Sequence, residues 1–207
     1  MSEATRPSTL IPLFPLHTVL FPGMVLPLRI FEARYLDMVS AVLREGRTFG
    51  VVPIRQGSEV GVAPDFFPYG TLAIIDAWDR GADGLLQMRI IGGERFHVLR
   101  HEVQSDQLLT AEITMLPPAA DASLPADLVY LSALLREIFS HHMRDLPYHE
   151  PQFDSALWVA YRLAEIVPLA SADKLAVLQA DSGIAALARV DARVSAIAAT
   201  APPGVRH

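Results

Sequence analysis

The side-chain types that most often bind metal ions gather near the end of one predicted helix: His141, His142, Asp145, His149 and Glu150. His141 and Asp145 share a helix face, and His149 and Glu150 could fold back toward them. A zinc site needs three or four ligands in a fixed geometry, and nothing in this pattern enforces one. We therefore expect a polar helix end and no metal, with His142 as a partly buried core histidine on the apolar face.

Candidates for acid–base or nucleophilic catalysis are scattered along the chain. His97 and His101 face the same side of a predicted strand, where we expect them to be solvated. His17 has no neighbouring serine or acid in the sequence. The single lysine, Lys174, is followed by leucine, so there is no P-loop, and no Gly-x-Ser-x-Gly nucleophile motif is present. The sequence therefore predicts a protein that is not an enzyme, with no catalytic residues and no cofactor.

Composition and charge argue against further classes of function. The chain has 207 residues, of which 51% are hydrophobic, and this suffices for a packed core. The net charge is −6, whereas a nucleic-acid-binding surface needs clustered basic residues. Arg89, Arg95 and Arg100 could line one face of a sheet, but we expect surface ion pairs there and no nucleic-acid partner. There is no cysteine, which excludes disulfides, cysteine-based zinc sites and cysteine nucleophiles.

The elements that must position any site begin with an apolar run at residues 10–31. It is long enough to cross a bilayer, but it contains four prolines, and each would leave a backbone group without a hydrogen bond in lipid. Glu3 lies where a signal peptide should be positive. Phe21, Pro22 and Gly23 have the composition of a tight turn. We therefore predict two buried strands joined by this turn, in a cytoplasmic protein that does not enter the membrane.

The pattern after this run predicts one helix, then a sheet, then helices only. Apolar residues first recur at helical spacing, with Gly46 as the C-terminal cap. Alternating segments follow and bring the total to about seven strands, with hairpin turns at residues 80–84 and at Gly92-Gly93. Residues 117–125 have the composition of a linker. Beyond them the apolar period is helical to the end of the chain.

The order of these motifs resembles the LON domain, the N-terminal substrate-binding domain of the ATP-dependent Lon proteases. The segment PLFPLHTVLFPGMVLPLRIFEARYLDMV carries most of the resemblance. GTLA at residues 70–73, GERFHVL at residues 93–99 and the helical run WVAYRLAEIVPLASADKLAVLQA support it. The sequence carries neither the ATPase nor the Ser-Lys protease module of Lon, so it is most similar to the stand-alone LON-domain proteins.

The resemblance implies an α+β fold. An N-terminal β-rich, PUA-like LON pseudo-barrel with one helix is expected over residues 8–118, a linker over 119–125, and a helical subdomain packed on the barrel over 126–200. Seven residues match the family motif and are expected to be structural: Phe21, Pro22, Gly23, Phe31, Glu32, Arg34 and Tyr35.

For function, the resemblance implies a non-catalytic module that recognises exposed hydrophobic or unfolded polypeptide segments. A role in protein quality control, as an adaptor to a separate protease or chaperone, is part of this expectation. Phe66, Phe67 and Tyr69 lie in a loop rich in glycine and proline, and they are the candidate peptide-binding residues. The alternative for these aromatic side chains is that they fold under the loop and extend the core.

Two other functions remain open at this stage. One is a small-molecule-binding protein or an enzyme with a site in the cleft between the two subdomains, because such clefts are common ligand sites. The other is a structural partner in a larger complex. The sequence does not indicate an oligomeric state.

Overall fold

The computed structural model describes residues 9–142 and 150–200, which fall into two compact units divided after Pro118. Among these residues, unit 1 contains β1 (Thr9–Leu16), β2 (Val25–Ile30), α1 (Ala33–Glu45), β3 (Phe49–Gln56), β4 (Asp65–Phe66), β5 (Tyr69–Arg80), β6 (Leu86–Val103) and β7 (Leu109–Met115). Unit 2 contains a 3-10 turn (Ala126–Leu128), α2 (Val129–His142), α3 (Ala156–Ile166), α4 (Ser171–Leu178) and α5 (Gly183–Thr200). The predicted α+β class, with strands before helices, is confirmed.

Five strands of unit 1 close into a small barrel. Antiparallel pairing gives the order β1–β7–β6–β5–β3, and β1 then pairs in parallel with β3, with Leu13 opposite Gly50. β4 pairs with β3, and β2 pairs with the first part of β6. The closed ring protects the edges of its own strands. Among the described strands β2 has only β6 as a partner, so it keeps one free edge.

The apolar run that opens the chain is explained by burial on both faces of the sheet. In β1, Leu13 belongs to a core cluster with Phe96, while the next residue, Phe14, belongs to a second cluster with Tyr35 and Met38 of α1. A strand that is buried on both faces reads as a continuous apolar segment and not as an alternating one. The run is therefore core.

Gly92 and Gly93 do not form the predicted hairpin, because β6 is continuous through both residues. Neither glycine has a positive φ. Gly92 instead lies against the backbone of Phe21, where an added Cβ would be 2.0 Å from the carbonyl oxygen. The close approach of two backbones requires a glycine here. The hairpin predicted at residues 80–84 is present, with Gly84 at φ 79.

The segment predicted as a linker, residues 119–125, makes regular backbone contacts within unit 2. Ala120 donates a hydrogen bond to Asp181 at 2.8 Å and accepts one from Gly183 at 2.7 Å. These bonds hold the segment at the start of α5.

No helix in the described ranges is both long and apolar enough to span a bilayer.

Unit 2 buries an ion pair on α3. Arg162 is 1% exposed, and its guanidinium contacts the carboxylate of Glu165, whose side chain is 8% exposed. The two residues are three positions apart, so they lie on the same side of the helix. Ser155 is the N-cap of this helix, and its hydroxyl accepts a hydrogen bond from the Trp158 backbone at 2.9 Å.

Candidate functional site

The turn that begins at Phe21 is held on the barrel by backbone contacts. Gly23 donates a hydrogen bond to the carbonyl of Gly92 at 2.7 Å. The buried hydroxyl of Thr71 donates to the carbonyl of Leu20 at 2.6 Å. Phe21 itself has no exposed surface. The turn therefore fixes where β2 begins.

The buried side chain of Arg34 connects the start of α1 to neighbouring segments. It donates to the carbonyl of Gln107 at 2.8 Å, and its guanidinium lies 3.1 Å from the carboxylate of Glu32. The same guanidinium lies over the ring of Tyr35, 4.5 Å from the centroid. These contacts tie the helix to the turn between β6 and β7. Three residues of the family motif, Glu32, Arg34 and Tyr35, thus contact one another.

The loop after β3 is held beside this cluster. Gly61 donates to the carboxylate of Glu32 at 3.2 Å. The carboxylate of Glu59 accepts a hydrogen bond from the backbone of His17 at 2.7 Å. Between these two anchored positions Val60 stays exposed. The loop therefore forms a wall that carries the apolar side chain of Val60.

An apolar groove of about 330 Å³, here called the β2 groove, is bounded by this wall, by β2 and by the start of α1. Buried side chains of Phe14, Leu16 and Ile30 contribute to its lining. Phe31 and Val60 also line it, and Phe31 is 58% exposed. A large aromatic side chain thus stands in solvent beside an apolar concavity.

Tyr35 adds a polar group to the lining of the β2 groove. Its ring packs on Phe14 with the centroids 4.2 Å apart, and its hydroxyl makes no hydrogen bond to any described residue. Burial raises the pKa of Tyr35 to about 12; the carboxylates of Glu32 and Glu59 act in the same direction, and Arg34 opposes them. The phenol therefore stays protonated at neutral pH and can donate a hydrogen bond.

A second, shallower hollow of about 470 Å³ adjoins the β2 groove, since both are lined by Pro27, Leu28 and Arg29. Trp78 of β5 lines this second hollow and is largely exposed. Phe31 and Trp78 therefore belong to neighbouring parts of one surface that follows β2.

The aromatic residues predicted to capture peptide do not form one exposed patch. Phe66 is 7% exposed and belongs to a core cluster, with its ring edge-on to His101 at 4.9 Å. For Phe66 the structure therefore agrees with the core alternative, because pairing of β4 with β3 places this side chain in the core. Phe67 and Tyr69 are half-buried, and Tyr69 packs against His97 at 4.6 Å.

Serine substitutions at Phe66 and Phe67 should separate a core role from a surface role. We expect Phe66→Ser to lower the free energy of unfolding of unit 1 by about 3–5 kcal/mol, because it leaves a cavity and a polar group in the core. Phe67→Ser should cost about 1 kcal/mol or less. Urea denaturation of both variants measures the difference. Equal, small losses would contradict the burial of Phe66.

The three arginines predicted to line the sheet are engaged in contacts. Arg89 pairs with Asp76 and Arg100 with Glu112, in the surface ion pairs that the sequence predicted. Arg95 is buried and donates to a backbone carbonyl at 2.7 Å. All three arginine side chains are therefore engaged in contacts within unit 1.

The predicted metal-type cluster is only partly within the described residues. His141 and Glu150 are exposed, while Asp145, His149 and the side chain of His142 lie outside the described part of the chain. Within the described residues, no group of three or more His, Cys, Asp or Glu side chains could hold a metal ion.

Comparison with known proteins places this architecture in a family. The family model of the ATP-dependent protease La (LON) substrate-binding domain matches residues 10–191. Lon protease of Cytophaga hutchinsonii is 34% identical over 118 residues, which are 56% of this chain and 14% of that protein. Protein cereblon of Gallus gallus is 30% identical over 133 residues, 62% of this chain and 29% of cereblon. The chain thus matches less than a third of either relative's length.

Solved structures agree with the family match. The Lon N-terminal domain protein from Xanthomonas campestris is 34% identical, with a TM-score of 0.71 over 94% of this chain and 99% of that one. The N-terminal domain of Lon protease from the Mycobacterium avium complex has a TM-score of 0.59 over 93% of this chain and 100% of that one; at 17% identity it shows the fold alone. This chain belongs to the LON substrate-binding domain family.

Proposed function

We propose that this chain is a non-catalytic substrate-recognition module that binds exposed hydrophobic or unfolded polypeptide segments. The observation that carries the proposal is the β2 groove, an apolar concavity with Phe31 exposed beside it. Exposed apolar surface next to a pocket marks interaction sites, because aromatic side chains that fill pockets dominate binding energy. The family description, a substrate-binding domain, supports the same role.

In this proposal an extended segment lies along the free edge of β2 and places an apolar side chain between Phe31 and Val60. Strand addition normally supplies a ladder of backbone hydrogen bonds. Pro27 has no N–H, so the edge of β2 offers an interrupted ladder. Side-chain burial must then supply much of the affinity, which suits a module that accepts many sequences. We expect a dissociation constant of about 1 μM or weaker.

The proposal also covers where the module acts and with what. It acts in the cytoplasm, in protein quality control, and delivers bound chains to a separate protease or chaperone. The match of residues 10–191 to the LON substrate-binding domain supports the recognition step of this role. Phe67 and Tyr69, both half-buried, are proposed as a second peptide contact.

Phe31→Ser is the most direct test of the groove. We expect the dissociation constant for a permanently unfolded polypeptide to rise about thirtyfold, because truncating a central anchor costs about 2 kcal/mol. The free energy of unfolding should change by less than about 0.5 kcal/mol, since the side chain is exposed. Fluorescence anisotropy with the labelled polypeptide measures the first quantity, and urea denaturation measures the second.

Leu99→Ser is the matched control, because Leu99 is exposed on β6 and does not line the β2 groove. It should leave the dissociation constant unchanged. A folded protein of similar charge should not bind. If the wild-type chain binds no unfolded polypeptide even at high concentration, the proposed function is wrong. If Leu99→Ser weakens binding as much as Phe31→Ser, the groove is not the site.

A further inference from the structure

The charges that line the β2 groove are not balanced. The carboxylate of Glu32 is neutralised by Arg34 at 3.1 Å. Arg29, which also lines the groove, is engaged in an ion pair with Asp83. The carboxylate of Glu59 accepts a backbone hydrogen bond but contacts no cationic side chain among the described residues. The groove therefore has one uncompensated negative charge beside its apolar lining.

Glu59 is held where it can act on a bound segment. Its carboxylate is fixed by the backbone N–H of His17 at 2.7 Å, and its backbone carbonyl lies 3.5 Å from a guanidinium nitrogen of Arg34. Its side chain is half-buried and lines the groove next to Val60. A carboxylate in such a position is only partly hydrated, so a cation that approaches it is screened less than at an open surface.

Tyr35 supplies the third element of recognition. Its hydroxyl has no partner among the described residues and remains a donor at neutral pH. A backbone carbonyl of a bound segment can accept this hydrogen bond. The groove thus presents an apolar surface, one donor and one carboxylate within a small area.

We propose that the preferred occupant of the β2 groove is an extended segment in which lysine or arginine lies next to an apolar residue, or one residue away from it. This inference rests on the proposed function, and it adds a substrate class to it. The apolar side chain fills the concavity, the cation pairs with Glu59, and a backbone carbonyl accepts the Tyr35 hydrogen bond. The net charge of −6 also favours the approach of basic segments over acidic ones.

The test uses three labelled peptides that differ only at the two positions flanking one leucine, which carry lysine, glutamine or glutamate. We expect the lysine peptide to bind about fivefold more tightly than the glutamine peptide, as for a partly exposed ion pair. The glutamate peptide should bind most weakly. In Glu59→Gln the ratio between the lysine and glutamine peptides should fall toward one. Glu102→Gln is the matched control, because Glu102 is an exposed carboxylate on β6 outside the groove.

The possible results separate this inference from the proposed function. Equal affinities for the three peptides would overturn the charge preference and leave recognition of apolar segments standing. A lysine preference that survives in Glu59→Gln would also overturn the assignment. Failure of every peptide and of an unfolded polypeptide to bind would overturn both proposals. Sedimentation velocity of the wild type and Phe31→Ser completes the test: a dimer lost in the variant would assign the groove to a second copy and overturn the inference.

Discussion

Gly92→Ala is expected to lower the free energy of unfolding of unit 1 by about 4 kcal/mol or more. The added Cβ would lie 2.0 Å from the carbonyl oxygen of Phe21 and 2.9 Å from the carbonyl carbon. Both atoms belong to the backbone, so no side-chain rotation relieves the clash. The hydrogen bond from Gly23 to Gly92 would have to lengthen, and the turn before β2 would lose its anchor.

Gly93→Ala is the matched control for this effect. A Cβ at the neighbouring glycine would meet no heavy atom closer than 3.3 Å, the carbonyl oxygen of Leu72. Its free energy of unfolding should stay within about 1 kcal/mol of the wild type. Hydrogen exchange measured peptide by peptide should show lost protection in the strands of unit 1 for Gly92→Ala alone. Equal protection in the two variants would contradict the close approach at Gly92.

Glu165→Gln is expected to lower the free energy of unfolding of unit 2 by about 3 kcal/mol. Arg162 and Glu165 are almost entirely removed from water. Glutamine keeps the size of the side chain but removes the charge that faces the buried guanidinium. In the variant Arg162 is still removed from water, but much of the electrostatic stabilisation that the Glu165 carboxylate gave to its charge is lost.

Asp173→Asn is the matched control, because Asp173 pairs with Arg193 at a solvated position. It should cost less than about 1 kcal/mol. Trp158 packs against Phe153 with the ring centroids 5.2 Å apart, so its fluorescence in a Trp78→Phe background reports on unit 2. Equal losses of unfolding free energy in Glu165→Gln and Asp173→Asn would show that the buried ion pair on α3 contributes no more to stability than the solvated one.

Local backbone chemistry made several elements of the fold predictable. Gly23 and Gly46 adopt φ values of 74 and 61, which glycine accepts readily, and both lie where a turn and a helix cap were predicted. The role of Gly92 was not predictable in the same way. A pair of glycines predicts a primed turn from local information, whereas the actual requirement comes from Phe21, which is distant in the sequence.

The candidate site was predictable only in part, because its walls come from separate segments. Phe31 and Glu32 lie in the motif that the sequence already singled out. Glu59 and Val60 join the groove only through long-range contacts, such as the hydrogen bond from Gly61 to Glu32. No local period predicts such contacts.

The exposure of the aromatic side chains of Phe66 and Trp78 was also not predictable from their local sequence. For an aromatic residue in a Gly/Pro-rich loop the sequence left both exposure and burial open, and pairing of the short strand β4 with β3 buries Phe66. Trp78 lies at the end of an apolar strand and pairs with Met88 of β6, yet its side chain is largely exposed, which the composition of the strand does not indicate.

The parallel pairing of β1 with β3, and its antiparallel pairing with β7, also sets the order in which the barrel can form. During synthesis β1 leaves the ribosome before the other strands of this unit, and its second partner, Leu109–Met115, is the last of them to be made. Closure is therefore a long-range step, of the kind that slows folding. Until it occurs, the strand TLIPLFPL is itself an exposed hydrophobic segment, in need of the kind of protection that this module is proposed to give to other chains.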